Sequence, residues 1–265
     1  MVLLDNGGSA ALGRVLIGLP PPDLHGLVEH VVIQNHPPQA REWHIVPDLS
    51  PHLIAMIEDG TGGRRLRVLV VGARSRSAIV DVSRRVVSVG IRLRPGALPS
   101  LLSGPAGALT DRSVPLEHAF ASRNLRDTEI AADAPPALIA TELLRIVRRV
   151  ASTPAAHAVG RALEGAHRVK GMAEALGVAE RTLRDRVVRE VGLSPKRALS
   201  IARLYRALFR AHGRVRSWAE VAYAAGYADQ AHLTRECRAL LGDSPTGWLA
   251  RGSADSFKTG TRPTR

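Results

Sequence analysis

Two clusters of polar side chains, about 50 residues apart in the sequence, could form hydrogen bonds with nucleic-acid bases. The first cluster consists of Glu180, Arg181, Thr182, Arg184 and Asp185, and the second of Asp229, Gln230, His232 and Arg235. Arginine can donate to guanine, glutamine suits adenine, and threonine can meet a thymine methyl group or a phosphate. These residue types therefore indicate contact with the edges of base pairs.

Cationic and hydroxyl side chains near both clusters are candidates for phosphate contacts. They are Lys170, Ser194, Lys196, Arg197, Arg216 and Ser217. The chain has a net charge of +13, and residues 168–216 alone hold 13 basic and four acidic residues, whereas residues 217–251 hold three and four. A large positive charge indicates a polyanionic partner. We therefore expect the first cluster and the segment after it to anchor the protein on phosphate.

The two clusters belong to a motif that the sequence contains twice. A-E-A-L-G-V-A-E-R-T-L runs from Ala173 to Leu183, and A-Y-A-A-G-Y-A-D-Q-A-H-L runs from Ala222 to Leu233. The offset is 49 residues at the central glycine and 50 from the leucine onward, so the second copy has one inserted residue. Each copy predicts a helix, a turn at glycine and a second helix, which is the layout of a helix-turn-helix unit.

The apolar pattern gives the bounds of the helices that would position these residues. The predicted helices are 155–165, 169–176, 180–191, 195–212, 218–225, 230–241 and 245–250. Leu183, Val187 and Val191 form a buried stripe, and Leu233 and Cys237 point inward in the second copy. The joining helix 195–212 would span about 27 Å. A helix of that length could hold two recognition helices about one DNA turn apart, roughly 34 Å.

The joining helix also has a predicted basic face. Lys196, Arg203, Arg206 and Arg210 fall on a different side from its apolar stripe. We expect this side to face DNA together with the first cluster.

The first 150 residues are predicted to be β-rich. Short runs of valine and isoleucine at 27–33, 44–46, 53–57, 67–71, 78–82 and 86–93 alternate with glycine- and proline-containing turns. This spacing predicts a cupin-like barrel or sandwich, and a helix follows at 136–150. The fold class is thus α+β: a sensor or dimerisation domain at 1–150, a helical DNA-binding domain at 154–251 and a flexible tail at 252–265.

Other classes of protein receive little support from the sequence. Cys237 is the only cysteine and no run of 18 apolar residues occurs, so we predict a cytoplasmic, nucleoid-associated protein that contacts no membrane. His44, Asp48 and His52 are spaced by four, but Pro47 and Pro51 interrupt any helix that would align them for a metal. With no P-loop, dinucleotide motif or catalytic triad pattern, we predict neither an enzyme nor a cofactor.

Arg92 and Arg94 are candidates for binding an effector. They lie on the same side of a predicted strand and could clamp an acidic group. The alternative is a solvated strand face that ends in the turn at Pro95 and Gly96.

The doubled motif resembles the C-terminal domain of the AraC/XylS family of bacterial transcription regulators. The resemblance covers about residues 155–251 and rests on 177–183, 192–195, 226–233 and 242–245. It implies a seven-helix domain whose two recognition helices enter adjacent major grooves. Cys237, followed by Arg238, stands where the family usually has a phenylalanine followed by a basic residue, and the loss of the phenylalanine should loosen the second unit's core.

The N-terminal part resembles a sensor-like domain that precedes this DNA-binding domain in many bacterial regulators. The resemblance rests on Val46–Asp48, Val89–Ala97 and Leu109–Leu116. AraC-type N-terminal domains are commonly cupin-like barrels that bind a small molecule or dimerise. The resemblance implies a transcription regulator whose partners are double-stranded DNA and, as candidates, RNA polymerase, a small-molecule effector and a second copy of the chain. The alternative is constitutive DNA binding with the N-terminal domain as a dimerisation or interaction scaffold.

Overall fold

The structure, a computed structural model, describes residues 3–5, 15–36, 42–81, 86–102, 104–120, 130–151, 158–211, 215 and 217–250. Arg216, residues 152–157 at the predicted boundary between the domains, and the predicted tail at 252–265 lie outside these residues.

The N-terminal part is formed by antiparallel strands. Its strands are β1 (Leu3–Asp5), β2 (Val15–Gly18), β3 (Val28–His36), β4 (Glu42–Ile45), β5 (His52–Gly60), β6 (Gly63–Val71), β7 (Ala78–Asp81), β8 (Val86–Leu93) and β9 (Ser113–Pro115). Seven of them form one sheet in the order β1-β2-β3-β8-β5-β6-β9, and β4 pairs with β7. A β-rich region followed by helices confirms the predicted fold class.

The two faces of the seven-stranded sheet differ in polarity. Helix α2 (Pro136–Val150) packs on one face, where Val31 lies opposite Ile91 in a continuous apolar cluster. The other face carries polar residues at its centre, because the register places His30 opposite Arg92. Both of these side chains are buried. The second face is therefore an interior polar surface rather than a solvated one.

The sequence predicted six of these strands and missed three. The bounds of β8 agree with the prediction, and the glycine-rich segment 59–63 forms the β5–β6 turn, where Gly60 pairs with Gly63. The missed strands β1, β2 and β9 are only three or four residues long. Runs this short give little periodic signal, and of the three described strands of four residues the sequence predicted two, β4 and β7.

The C-terminal part is helical throughout its described residues. After α1 (Leu116–Ala119) and α2, the helices are α3 (Ala158–Gly165), α4 (Val169–Ala175), α5 (Glu180–Val191), α6 (Pro195–Ala211), α7 (Trp218–Ala225), α8 (Gln230–Leu241) and α9 (Pro245–Ala250). Four of the helices predicted for this part, α5, α7, α8 and α9, agree at both ends. Gly192, Gly226 and Gly242 end α5, α7 and α8 with φ of +87°, +89° and +79°.

The two parts share apolar packing. The cluster that joins α3 to α9 also includes Val46, Leu49 and Ala73 from the N-terminal part. Short 3-10 turns at Leu98–Ser100 and Ala106–Leu109 contact α5. Across the described ranges, no helix is long and apolar enough to cross a membrane.

Candidate nucleic-acid interface

The first helix-turn-helix unit consists of α4 and α5. Gly177 between them has φ of +64°, a conformation that glycine adopts without a side-chain clash. Leu183, Val187 and Val191 are at most 2 % exposed and hold α5 against the core, as predicted. The exposed side of α5 carries all five predicted base-contacting residues, namely Glu180, Arg181, Thr182, Arg184 and Asp185. The structure therefore brings the first cluster together on one open helix face.

The second unit repeats this geometry in α7 and α8. Both recognition helices have 12 residues, both end at a left-handed glycine, and Pro195 and Pro245 open the helices that follow them. Leu233 and Cys237 are fully buried, as predicted, and burial raises the pKa of the Cys237 thiol to about 12. The thiol is thus a neutral packing group at physiological pH.

The predicted base-contacting residues of the second unit have different roles. Gln230 and Arg235 are exposed on α8. Asp229 is the helix N-cap, with its Oδ1 accepting from the His232 backbone N–H at 2.6 Å. The His232 ring packs edge-on against Tyr227, with 5.2 Å between ring centroids. The Asp229 carboxylate therefore caps the helix, and Gln230 and Arg235 present exposed polar side chains in this cluster.

Two residues that the sequence analysis missed, one half-buried and one exposed, lie beside Gln230 and Arg235. Thr234 and Arg238 line a shallow depression on α8 together with them and Ala231. Thr234 Oγ1 also donates to the Gln230 carbonyl oxygen at 2.9 Å. The signal was present in the spacing, because Thr234 follows Gln230 by four residues and Arg238 follows Arg235 by three.

A buried polar network positions α8 against α6. Arg203 Nη2 lies 3.0 Å from Glu236 Oε1, and Ser200 donates to the same oxygen. The Arg203 guanidinium also stacks 4.7 Å from the centroid of the Tyr227 ring. Burial opposes ionisation of Glu236, but the hydrogen bonds from Arg203 and Ser200 lower the pKa of its carboxyl below the ordinary value. The network runs from the joining helix to the turn that precedes the second recognition helix.

This network corrects the predicted basic face of the joining helix. Arg203 forms an ion pair with Glu236. Arg206 donates to three carbonyl oxygens at the end of α3, those of Leu163, Glu164 and Ala166, at 3.0–3.2 Å. These bonds join α6 to the end of α3. Both arginines satisfy polar groups inside the domain. The charge count in the sequence therefore overstates the charge that α6 presents to DNA.

The phosphate candidates also divide into two groups. Lys170 and Lys196 are exposed, while the Ser194 and Ser217 hydroxyls accept from the backbone N–H groups of Arg197 and Glu220 at 3.3 and 3.4 Å. The Arg197 guanidinium donates to the Ser75 carbonyl oxygen in the N-terminal part. Arg197 is thus held within the protein, contrary to the expectation of a free phosphate-binding group.

The predicted effector clamp is not assembled, because both arginines already have partners. Arg92 Nε lies 2.8 Å from Glu29 Oε2, and its Nη2 lies 2.8 Å from Asp48 Oδ1. Arg94 Nε donates to the His25 carbonyl oxygen at 2.7 Å. An acidic ligand would have to displace two carboxylates from Arg92. Within the described residues, no three acidic, histidine or cysteine side chains form a group suited to a metal ion.

Comparisons with known proteins agree with this arrangement. Residues 172–251 match the family model described as a helix-turn-helix domain. The chain carries an AraC-type helix-turn-helix domain. It is a DNA-binding transcription regulator. Residues 18–115, ahead of the AraC-type domain, match the model of a domain of unknown function, DUF6597.

Solved structures similar to this chain are AraC-family regulators. The DNA-binding domain of AdpA, a global transcriptional factor solved with a target DNA, is 28% identical over 38% of this chain and 93% of its own, with a TM-score of 0.34. ToxT from Vibrio cholerae is 10% identical over 82% of this chain and 98% of its own, with a TM-score of 0.44. The comparison with curated proteins gave no significant match.

Proposed function

We propose that one copy of the chain binds a promoter site by placing α5 and α8 in two successive major grooves. The supporting observation is the repeat itself: two 12-residue recognition helices with the same glycine ends, held by one joining helix in one apolar cluster. The 17 residues of α6 span about 26 Å, which is of the same scale as the roughly 34 Å between successive major grooves on one face of DNA.

The exposed residues of the two helices would have distinct tasks. Arg181, Arg184 and Arg235 are placed to donate to guanine, and Gln230 to pair with adenine. Thr182 would meet a thymine methyl group or a phosphate. The remaining predicted base contacts, Glu180, Asp185 and His232, line the same helices, while Lys170, Lys196 and the N-terminal turns of α6 and α7 would contact phosphate.

We further propose that the N-terminal domain controls this binding in response to a small molecule. The proposal is supported by the contacts between the two parts, since the N-terminal 3-10 turns contact α5 and the Ser75 carbonyl oxygen accepts from Arg197 on α6. RNA polymerase and a second copy of the chain are the further partners proposed from the AraC-type resemblance. A purely structural N-terminal scaffold is the competing account.

Base recognition is tested with operator DNA taken from a genome-wide footprint. Arg184→Ala should lower affinity for the operator by about 1–3 kcal/mol while leaving affinity for random DNA nearly unchanged. Lys196→Ala should weaken both alike and flatten the salt dependence by about one charge. Fluorescence anisotropy on both DNAs separates the two effects. Equal losses on operator and random DNA for Arg184→Ala would remove its role in base recognition.

Control by a small molecule is tested with the full chain. A specific ligand raises the midpoint of thermal unfolding by mass action, so metabolites are screened for this shift and then for a change in operator affinity. A compound that changes both supports a sensor. If compounds that shift the midpoint leave operator affinity unchanged, the scaffold account is favoured.

A further inference from the structure

The three N-terminal segments that carry the resemblance to a sensor-like domain, Val46–Asp48, Val89–Ala97 and Leu109–Leu116, all contact the AraC-type domain. Val46 belongs to the apolar cluster of that domain, and Pro95 approaches α3 at Gly160, where an added Cβ would lie 2.5 Å from the Pro95 carbonyl oxygen. Gly96 faces Glu190 on α5, and Thr110 contacts the end of the same helix. These segments therefore form a docking face for the first helix-turn-helix unit and the joining helix.

One contact of this docking face fixes the end of the first recognition helix. Thr110 Oγ1 donates to the Gly192 carbonyl oxygen at 2.8 Å. Gly192 has φ of +87°, and a Cβ added there would lie 2.3 Å from Thr110 Oγ1. The N-terminal part thus approaches the backbone at the point where α5 turns into α6.

A second contact holds Arg197 one turn further along the chain. Its guanidinium donates to the Ser75 carbonyl oxygen. The Ser75 loop is in turn fixed by Asp111, whose two carboxylate oxygens accept from the Ser75 backbone N–H at 2.7 Å and from its hydroxyl at 2.6 Å. Asp111 has φ of +57°, an uncommon conformation for a residue other than glycine, and it is held in place by this pairing.

A third contact anchors the middle of α6. The half-buried Tyr205 lies beside Arg92, which is paired with Glu29 and Asp48. These two charge-assisted hydrogen bonds fix the guanidinium that lies beside the tyrosine. Arg197 is therefore held by a docked surface that is anchored on both sides of it.

Arg197 differs from its neighbours in what it contacts. Lys196 and Ser194 are exposed at the start of α6, directly after the first recognition helix, and the base-contacting face of α5 is also exposed. Docking therefore leaves the base-contacting residues accessible and removes one cation from the phosphate-binding edge.

We propose that the N-terminal domain keeps Arg197 from a DNA phosphate by holding it at the Ser75 carbonyl, so that release of this contact strengthens DNA binding. The proposal rests on the proposed function, because it adds a regulated phosphate contact to the first unit. A backbone carbonyl and a phosphate oxygen both accept from a guanidinium, but the phosphate carries a full negative charge. If the docking face separated from α6, the Arg197 guanidinium would be able to contact a DNA phosphate.

The test is a double-mutant cycle on the full chain with operator DNA. Thr110→Val removes the donor to Gly192 at nearly constant volume, and Asp111→Ala removes both restraints on Ser75. Both substitutions should release the docking face, and we call these the opened variants. Each should bind operator more tightly than the wild-type chain. The slope of log affinity against log salt concentration should steepen by about 0.9, so that affinity falls by a further factor of about three to four between 50 and 200 mM salt. Arg197→Ala should abolish that gain in the opened variants and have little effect in the wild-type background.

Lys196→Ala is the matched control, since this exposed neighbour should lose the same affinity in closed and opened backgrounds. Circular dichroism and thermal unfolding verify that each variant is folded, and the milder Thr110→Val serves if Asp111→Ala does not fold. The proposal is overturned if Arg197→Ala weakens binding equally in both backgrounds, or if folded opened variants bind no more tightly. Equal affinity of the wild-type chain for operator and for random DNA would instead contradict the proposed function.

Discussion

The two helix-turn-helix units have the same backbone plan but are held in place by different parts of the molecule. The N-terminal part supports the first unit, because Thr110 contacts Gly192 at the end of α5. The helical domain itself supports the second unit, through the Arg203–Glu236 pair between α6 and α8. A repeated motif therefore need not have repeated support. Signals that act on the N-terminal part would reach the first recognition helix directly and the second only through α6.

Acid should produce the largest difference between the N-terminal sheet, which belongs to the part that supports the first unit, and the second unit. Burial lowers the pKa of His30 to about 3 and of His36 to about 4, from the ordinary 6.5. Between pH 6.5 and about 4 the unfolded chain binds protons that these folded imidazoles do not, so the free energy of unfolding falls as pH falls. Each histidine contributes up to about 1.4 kcal/mol per pH unit. Hydrogen exchange should show β3 and β8 losing protection before α8.

His30→Gln and His36→Gln provide the controls for the acid effect. Each replaces a titrating side chain by one that does not titrate, so each should reduce the slope of stability against pH in this range. An unchanged slope in both variants would show that other groups cause the acid sensitivity.

Removal of the Glu236 carboxylate should have the next largest effect, confined to the second unit. Glu236→Ala leaves the Arg203 guanidinium without its charged partner in a site where both side chains are less than 20 % exposed, which should cost about 3 kcal/mol. Urea unfolding measures the loss. Replacing both partners by apolar residues, as in Arg203→Met with Glu236→Leu, should recover much of it. A loss below about 1 kcal/mol for Glu236→Ala would mean that the pair does not position α8.

Two corresponding glycines offer a matched test of the external support. Gly192→Ala and Gly242→Ala both place a side chain at positive φ, which costs about 1–2 kcal/mol. The Cβ at Gly192 would also collide with Thr110, whereas no atom lies within 4 Å of one at Gly242. We expect Gly192→Ala to be the more destabilising by about 1 kcal/mol in thermal unfolding. In a Thr110→Ala background the two glycine substitutions should differ less in the stability they cost. Equal stability losses for the two substitutions in the wild-type background would contradict the docked arrangement.

The sequence was sufficient for the repeated fold because its signals are local. Glycine at Gly192 and Gly242 and proline at Pro195 mark helix ends through backbone restrictions that act within a few residues. The Asp229 cap also had a local signal, an aspartate directly before a predicted helix start, although the residue was assigned to base contacts instead.

The roles of the arginines could not be predicted in the same way. Arg197 and Ser75 are 122 residues apart, and Arg92 and Asp48 are 44 apart. Arginine carries the same charge whether it contacts a phosphate, a carboxylate or a carbonyl, so composition cannot separate these outcomes. Only the tertiary arrangement shows that Arg197, Arg203 and Arg206 serve the protein's own polar groups.

The central claim, that one rigid chain contacts two successive grooves, is tested most directly by changing the spacing between the two halves of the operator. Operators with insertions of about 5 and about 10 base pairs between the boxes are compared with the native site and with a site that has one box scrambled. We predict that both insertions reduce affinity to the level of the scrambled site, because α6 fixes the separation of α5 and α8. Native affinity at either spacing would contradict it.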